Sequence, residues 1–161
     1  MDYSQIEDWI ALTELKANYF RFLDTKQWDR WRDLFTDDMV FYSDETPVPK
    51  TAEPMTRSAD AFVATVSSML AGSITVHQGH MPEITFTDDR NAAGIWAMYD
   101  WVDAPGESGW NNQGFGHYHE RYVKGSDDRW RIAELRLTRL RVDEAGPTRP
   151  LHGARPASWS A

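Results

Sequence analysis

Hydrophobic periodicity changes character once along this chain of 161 residues. Up to Gly72 the apolar residues recur mainly at helical spacing, and beyond it they alternate almost to the end. Helices first and a long antiparallel meander afterwards predict an α+β domain, with the N-terminal helices segregated on one face of a curved, mostly antiparallel sheet.

Within the first part, Ile6, Trp9, Ile10, Ala17 and Phe20 form one helical stripe between Gln5 and Leu23. A second stripe of Leu12, Leu15, Tyr19 and Leu23 predicts that this helix is buried on most of its circumference. A short helix carries Trp28, Trp31, Leu34 and Phe35, Thr36-Asp37-Asp38 reads as a turn, and Met39 to Tyr42 as a strand. Asp44 to Thr56 holds Pro47, Pro49 and Pro54 and reads as a loop. Ser58 is placed to cap a third helix bearing Phe62, Val63, Val66, Met69 and Leu70. Strands are expected over Ser73 to His80, Glu83 to Thr87, Ala92 to Val102, Gln113 to Lys124 and Arg129 to Val142. Asp88-Asp89-Arg90-Asn91 and Gly125-Ser126-Asp127-Asp128 are hairpin-like turns. Residues 1–145 are read as the domain and 146–161, with Pro147, Pro150 and Pro156, as an irregular tail that dangles or lies across an opening.

Composition narrows the function. The net charge of −8 disfavours nucleic acid and anionic membrane surfaces, which need basic patches. No cysteine means no disulfide, no thiolate metal site and no cysteine nucleophile. The acidic start, Met1-Asp2-Tyr3-Ser4-Gln5-Ile6-Glu7-Asp8, is unlike a signal peptide, and no apolar run is long enough to span a bilayer, so a cytoplasmic protein is expected. Eight Trp, seven Phe and six Tyr suit the enclosure of a flat or polycyclic ligand, or a plain aromatic core.

Against this apolar background stand five polar residues: Tyr19, Asp24, His77, Asp100 and Arg139. An unpaired charge in a core costs several kcal/mol by order of magnitude, so such a set predicts a pocket whose members partner one another. Gly94, Trp96, Met98, Asp100 and Val102 share one strand face. Ala133, Leu135, Leu137 and Arg139 share another, in which the arginine interrupts an apolar row or pairs with a surface carboxylate. Gly114 and Gly116 beside Tyr118 leave room for a ligand or mark a bulge. Asp24 either points inward after Ala17 and Phe20, or it or Thr25 caps the second helix with Gln27 completing a capping box. His77 is an acid/base candidate if a carboxylate orients it, and otherwise a satisfied core residue. His117 and His119 share a face and are the alternative metal reading, whereas His80 falls on the face opposite His77.

Glu14-Leu15-Lys16-Ala17-Asn18-Tyr19-Phe20-Arg21-Phe22-Leu23-Asp24, His77-Gln78-Gly79-His80-Met81-Pro82-Glu83-Ile84-Thr85 and Gly94-Ile95-Trp96 followed by Asp100 resemble the SnoaL-like branch of the nuclear transport factor 2-like superfamily. Within it they are most similar to the bile-acid 7α-dehydratases and, more distantly, to the scytalone dehydratases. The resemblance runs from the first helix through the last strand and implies a cone-shaped α+β barrel around a deep apolar pocket. It assigns the phenol to Tyr19, the orienting carboxylate to Asp24, the base to His77 and polar pocket contacts to Asp100 and Arg139. The chain departs from the family in the loop Asp103 to Asn112, in His117 and His119 and in the tail, so the substrate is not inherited with the chemistry.

The resulting expectation is a lyase without cofactor or metal, a dehydratase acting on a hydroxylated, carbonyl-bearing polycyclic molecule such as a steroid, bile acid or polyketide. Trp96, Met98, Tyr118, Leu135 and Leu137 would wall its binding site. An isomerase or cyclase of the same fold, and a module that only binds, are the rivals. Ile95, Ala97, Tyr99 and Trp101 form an apolar stripe on the opposite sheet face, which predicts a homo-oligomer, a trimer before a dimer.

Overall fold

The computed structural model describes residues 3–104 and 111–145, so the expected tail and most of the departing loop lie outside the described residues. The order is α1 (Tyr3–Asp24), α2 (Trp28–Arg32), β1 (Phe35–Asp44), α3 (Ala59–Met69), β2 (Ile74–Asp88), β3 (Asn91–Asp103), β4 (Asn111–Lys124) and β5 (Trp130–Ala145). The five strands make one sheet in the order β1-β5-β4-β3-β2. All neighbours are antiparallel except β1 and β5, which run parallel. Among the described residues β1 and β2 are the two edges, β1 bridged at Phe41 to Thr56, so the sheet curves around the helices without closing into a full barrel. Among the described residues no helix is long and apolar enough to cross a membrane.

Helix α1 buries Leu12, Leu15, Lys16, Tyr19, Phe22 and Leu23, the three-and-four spacing of a single helical face. The expectation of burial around most of the helix is therefore corrected: Ile6, Trp9 and Ile10 are exposed. In these first turns it is Asp8 that meets the sheet, accepting from Trp130 Nε1 at 2.8 Å and pairing with Lys124 at 2.6 Å. Helix α1 ends in a paired cap, Gln27 N–H to the Phe22 carbonyl at 2.8 Å and Lys26 N–H to the Leu23 carbonyl at 3.2 Å, with Lys26 left-handed at φ 60°. Gln27 then starts α2 with no side-chain cap, so the capping-box reading of Asp24 and Thr25 is also corrected. Ser58 does cap α3, its hydroxyl accepting from Ala61 N–H.

The aromatic load forms a cluster on the inner face. Trp31 is fully buried, with ring centroids 5.4 Å from Tyr19, 5.2 Å from Phe35 and 5.2 Å from Phe62. Tilted and edge-on pairs of this kind add roughly 0.5–1.5 kcal/mol each beyond their buried area. Phe35 belongs to β1 rather than to α2. The predicted turn Thr36-Asp37-Asp38 lies in an irregularity of that strand between Phe35 and Val40. The two strands expected between Ser73 and Thr87 are one strand interrupted between His80 and Glu83, where Pro82 has no N–H to give the ladder.

Two further irregularities in β5 aim its side chains. Tyr122 pairs with Ile132 and Arg121 with Glu134, so Ala133 is an inserted residue and Ile132, Leu135 and Leu137 all reach the inner side. Ala133 therefore leaves the predicted odd-numbered face. The second insertion, Leu140, follows Arg139.

The long loop after β1 is fastened at its start. The buried Asp44 carboxylate accepts from Thr51 N–H and from Arg136 at 2.8 Å each, and from the Thr51 hydroxyl. Burial pushes this carboxyl up, but those hydrogen bonds outweigh it and hold the group at about 2. The folded value is below the ordinary one, so the stabilisation is complete above about pH 4 and is lost as pH falls towards about 2. Asp44→Asn is expected to cost on the order of 2–3 kcal/mol at pH 7, because it leaves the Arg136 guanidinium without its counter-charge. Denaturant midpoints measured on both proteins should converge as pH falls to 2; a constant gap would refute this account.

On the outer sheet face Ile95 and Val76 are each 37% exposed, and Tyr99 and Trp101 are half-buried. Tyr99 packs on Phe115, ring centroids 5.2 Å apart, and Trp101 donates to Asn111 Oδ1 at 3.1 Å.

Candidate active site

The register of the sheet brings distant residues to one rung. His77 of β2 pairs with Asp100 of β3, which pairs with Gly114 of β4. On the next inward rung Gly79, Met98, Gly116 and Arg139 align. On the inner face beneath the helices these glycines let neighbouring groups come close, Phe20 at Gly79 and Arg139 at Gly114. A cavity of about 350 Å³ lies there, lined by Tyr19 and Leu23 of α1, His77, Asp100, Tyr118, Leu135, Leu137 and Arg139 of the sheet, and Met55 and Thr56 of the loop. A larger cleft of about 460 Å³ near Arg32, Asp37, Arg129 and Arg131 is more open and polar. Its Arg32 and Arg131 are already paired with Asp37 and Asp60 and with Asp127.

Asp24, the last residue of α1, reaches across to β2. Its Oδ1 lies 2.7 Å from His77 Nδ1, and its Oδ2 accepts the His77 backbone N–H at 2.9 Å. Because a carboxylate only accepts, Nδ1 carries the imidazole proton and Nε2 is left as the basic nitrogen. Asp24 itself lies behind the ring and is absent from the cavity lining.

Behind the carboxylate, the Thr75 hydroxyl donates to Asp24 Oδ1 at 2.8 Å, and the Lys26 ammonium donates to that hydroxyl at 2.7 Å. Lys26 thus holds a backbone conformation that costs a non-glycine residue roughly 1 kcal/mol, while its side chain steadies the dyad. Lys26→Gly should leave the melting temperature unchanged or higher yet lower turnover about fivefold. Lys26→Met should lower both. Unchanged turnover in the two variants would show that the lysine does not steady the dyad.

Arg139 is met by the buried Asp100 rather than by a surface carboxylate. Arg139 Nη1 lies 2.7 Å from Asp100 Oδ2 and donates to Met98 Sδ at 3.6 Å. The arginine starts one rung away and lies back over Gly114, where a Cβ would overlap both Arg139 Nη1 and Asp100 Oδ1. At Gly116 a Cβ would overlap the Thr138 carbonyl oxygen beside the Leu140 insertion. Gly114 thus makes room for the ion pair rather than for a ligand, and Gly116 accompanies the bulge.

Tyr19 and Tyr118 pack edge-to-face, ring centroids 5.9 Å apart. Burial, reinforced by the charges of Glu120 and Asp100 among others, pushes both phenols well above their ordinary range, so they face the cavity as protonated donors.

Trp96 and Met98 do not reach the cavity surface. Trp96 Nε1 donates to the Tyr122 hydroxyl at 2.7 Å in the core, and Met98 sits behind Arg139. Both lie on the predicted inward face, but the cavity opens over β4 and β5 rather than over their part of β3.

Ser43 and Asn112 also line the cavity, and sequence patterns did not single them out. Among the described residues the buried Asn112 side-chain oxygen has no hydrogen-bond partner. Asn112 stands at a loop boundary, where no periodicity signals orientation.

Among the described residues no three His, Asp or Glu side chains stand close enough to hold a metal. The rings of His117 and His119 are 6.1 Å apart on the outer face, and His119 Nε2 lies 3.2 Å from the Thr138 hydroxyl.

Residues 4–136 match the model of the SnoaL-like domain. The chain belongs to the SnoaL-like family. The nuclear transport factor 2-like fold expected from the resemblance is the one observed, with the sheet left open. A relative in Gibberella zeae, named probable cyclase FGR4, is 30% identical over 130 residues, covering 78% of this chain and 86% of its own.

Solved structures align over nearly the full length. A protein assigned as a scytalone dehydratase in Novosphingobium aromaticivorans superposes with a TM-score of 0.71 at 17% identity, over 96% of this chain and 100% of that one. A hexachlorocyclohexane dehydrochlorinase, LinA-type3 of Novosphingobium barchaimii, does so with a TM-score of 0.72 at 15% identity, over 97% and 100%. At such identities the two structures speak for the fold alone.

Proposed function

We propose that this SnoaL-like protein is a small-molecule lyase, a dehydratase that needs no cofactor and removes water from a hydroxylated, carbonyl-bearing polycyclic substrate. The observation that carries the reading is the Asp24–His77 contact beside the cavity and its two protonated phenols. A carbonyl acidifies a neighbouring or vinylogous C–H. His77 Nε2 takes that proton, and the electron pair moves into the carbonyl as an enolate whose oxygen accepts from Tyr19 and Tyr118. When the C–O bond breaks, the electron pair returns to form the C=C bond, and the imidazolium gives its proton to the departing hydroxide as water. Asp24 stabilises the imidazolium between the two transfers. Asp100 is engaged by Arg139, so the pair serves as a polar clamp for the substrate while the proton returns from His77. Acid/base help of about 10²–10⁴ and oxyanion hydrogen bonding of about 10²–10³ account for useful rates without a metal.

The cyclase named among the relatives favours a second reading, in which the same proton abstraction leads to ring closure or isomerisation without loss of water. Incubation with a panel of β-hydroxy ketones on steroid and polyketide-like frames, beside matched enones lacking the hydroxyl, separates the two. Loss of one water by mass, with a new conjugated absorbance, is expected. Rearrangement at constant mass would move the assignment to isomerase or cyclase. Tight binding with no turnover across the panel would make the protein a binding module.

A further inference from the structure

Lys16 has no exposure, and burial pulls its ammonium below the ordinary lysine range while the Glu120 carboxylate acts in the opposite direction. Its ammonium pairs with Glu120, and neither side chain reaches solvent. The other Glu120 oxygen accepts from the Tyr122 hydroxyl, which accepts from Trp96 Nε1. This network ties α1 to β3 and β4 and takes no part in the proton transfers described above.

The ammonium also sits against the ring faces of the cavity phenols, 3.7 Å from the Tyr118 centroid and 4.1 Å from the Tyr19 centroid. Lys16, Tyr19 and Phe20 fall at i, i+3 and i+4 of α1, so the helix itself stacks them. A buried ion pair often does no better than break even against apolar residues of the same volume, so its presence alone is weak evidence of a stabilising role. When a phenol donates to an anion, charge shifts onto its ring. A cation on the ring face in a low-dielectric interior favours that shift. The ammonium thereby opposes the nearby Glu120 and Asp100 carboxylates, which make both phenols weaker donors.

We infer that Lys16 is a positioning residue for anion recognition, its ammonium held by Glu120 against Tyr19 and Tyr118 so that the two phenols bind an enolate-like oxygen more strongly. The inference rests on the proposed role of those phenols in holding the enolate.

The probes are substituted 2-naphthols of graded acidity, planar mimics of an enolate, with 2-methylnaphthalene as the neutral control. Absorbance and fluorescence report the ionised fraction of bound naphthol. Lys16→Gln/Glu120→Gln removes the charge pair and leaves Tyr122 an acceptor. Lys16→Met/Glu120→Met, its apolar counterpart, serves if the first does not fold. Wild type is expected to favour the naphtholate, and the folded double variant to lose that preference roughly tenfold while binding the control equally well. An unchanged preference in the variant would overturn the role of Lys16 and leave the lyase assignment standing. No preference for naphtholate in wild type would overturn the phenols as an enolate site, and the role of Lys16 with it.

Discussion

Replacing His77 with alanine is expected to lower turnover by about 10²–10⁴-fold with the fold retained. The base is lost outright. The Asp24 carboxylate it leaves behind still accepts from the His77 backbone N–H and the Thr75 hydroxyl, so no buried charge is orphaned. Asp24→Asn should lose at least as much as two orders of magnitude, because an amide neither stabilises the imidazolium nor holds the same tautomer. Turnover of the hydroxy ketone that wild type dehydrates, measured beside circular dichroism of each variant, checks both. A folded His77→Ala protein with wild-type rates would remove His77 from the chemistry.

Arg139→Met is expected to be the most destabilising change in the site, costing about 3–5 kcal/mol. The Asp100 side chain is 6% exposed and Arg139 is its ion-pair partner, so the single variant buries an uncompensated carboxylate. The double variant Asp100→Asn/Arg139→Met should recover most of that stability, since both charges leave together. Turnover should stay low in it, because the clamp on the substrate is gone. Urea midpoints and turnover of the two variants and wild type test this together. Recovery of activity with stability would mean that the pair only supports the fold.

Features set by a few consecutive residues were legible in the sequence. The helical stripe of Leu12, Leu15, Tyr19 and Leu23, the alternation of Trp96, Met98, Asp100 and Val102, and the Ser58 cap all follow from backbone geometry repeating over one or two turns or pleats. Asp100 and Arg139 were visible for the same reason, because a charge inside an apolar face breaks a local pattern, whereas the roles of Tyr19, Asp24 and His77 were read from the family resemblance. Lys16, four residues after Leu12 and three before Tyr19, carried the same signal.

What these residues touch was decided by the tertiary structure. Asp24 at a helix end is locally as fit to cap α2 as to orient a histidine, and only the packing of α1 across β2 brings it to His77, 53 positions away. Arg139 meets Asp100 because Gly114 leaves its rung empty, and Leu135 and Leu137 face inward with Ile132 because Ala133 is inserted in β5. Periodicity belongs to one segment, whereas register, bulges and the closing of Lys16 on Glu120 across 104 positions depend on how segments pack. The sequence by itself therefore determined the order of elements and which polar side chains interrupt their apolar faces. Only the packed sheet and helices decided which of those side chains share a cavity, because that requires contacts no local pattern contains.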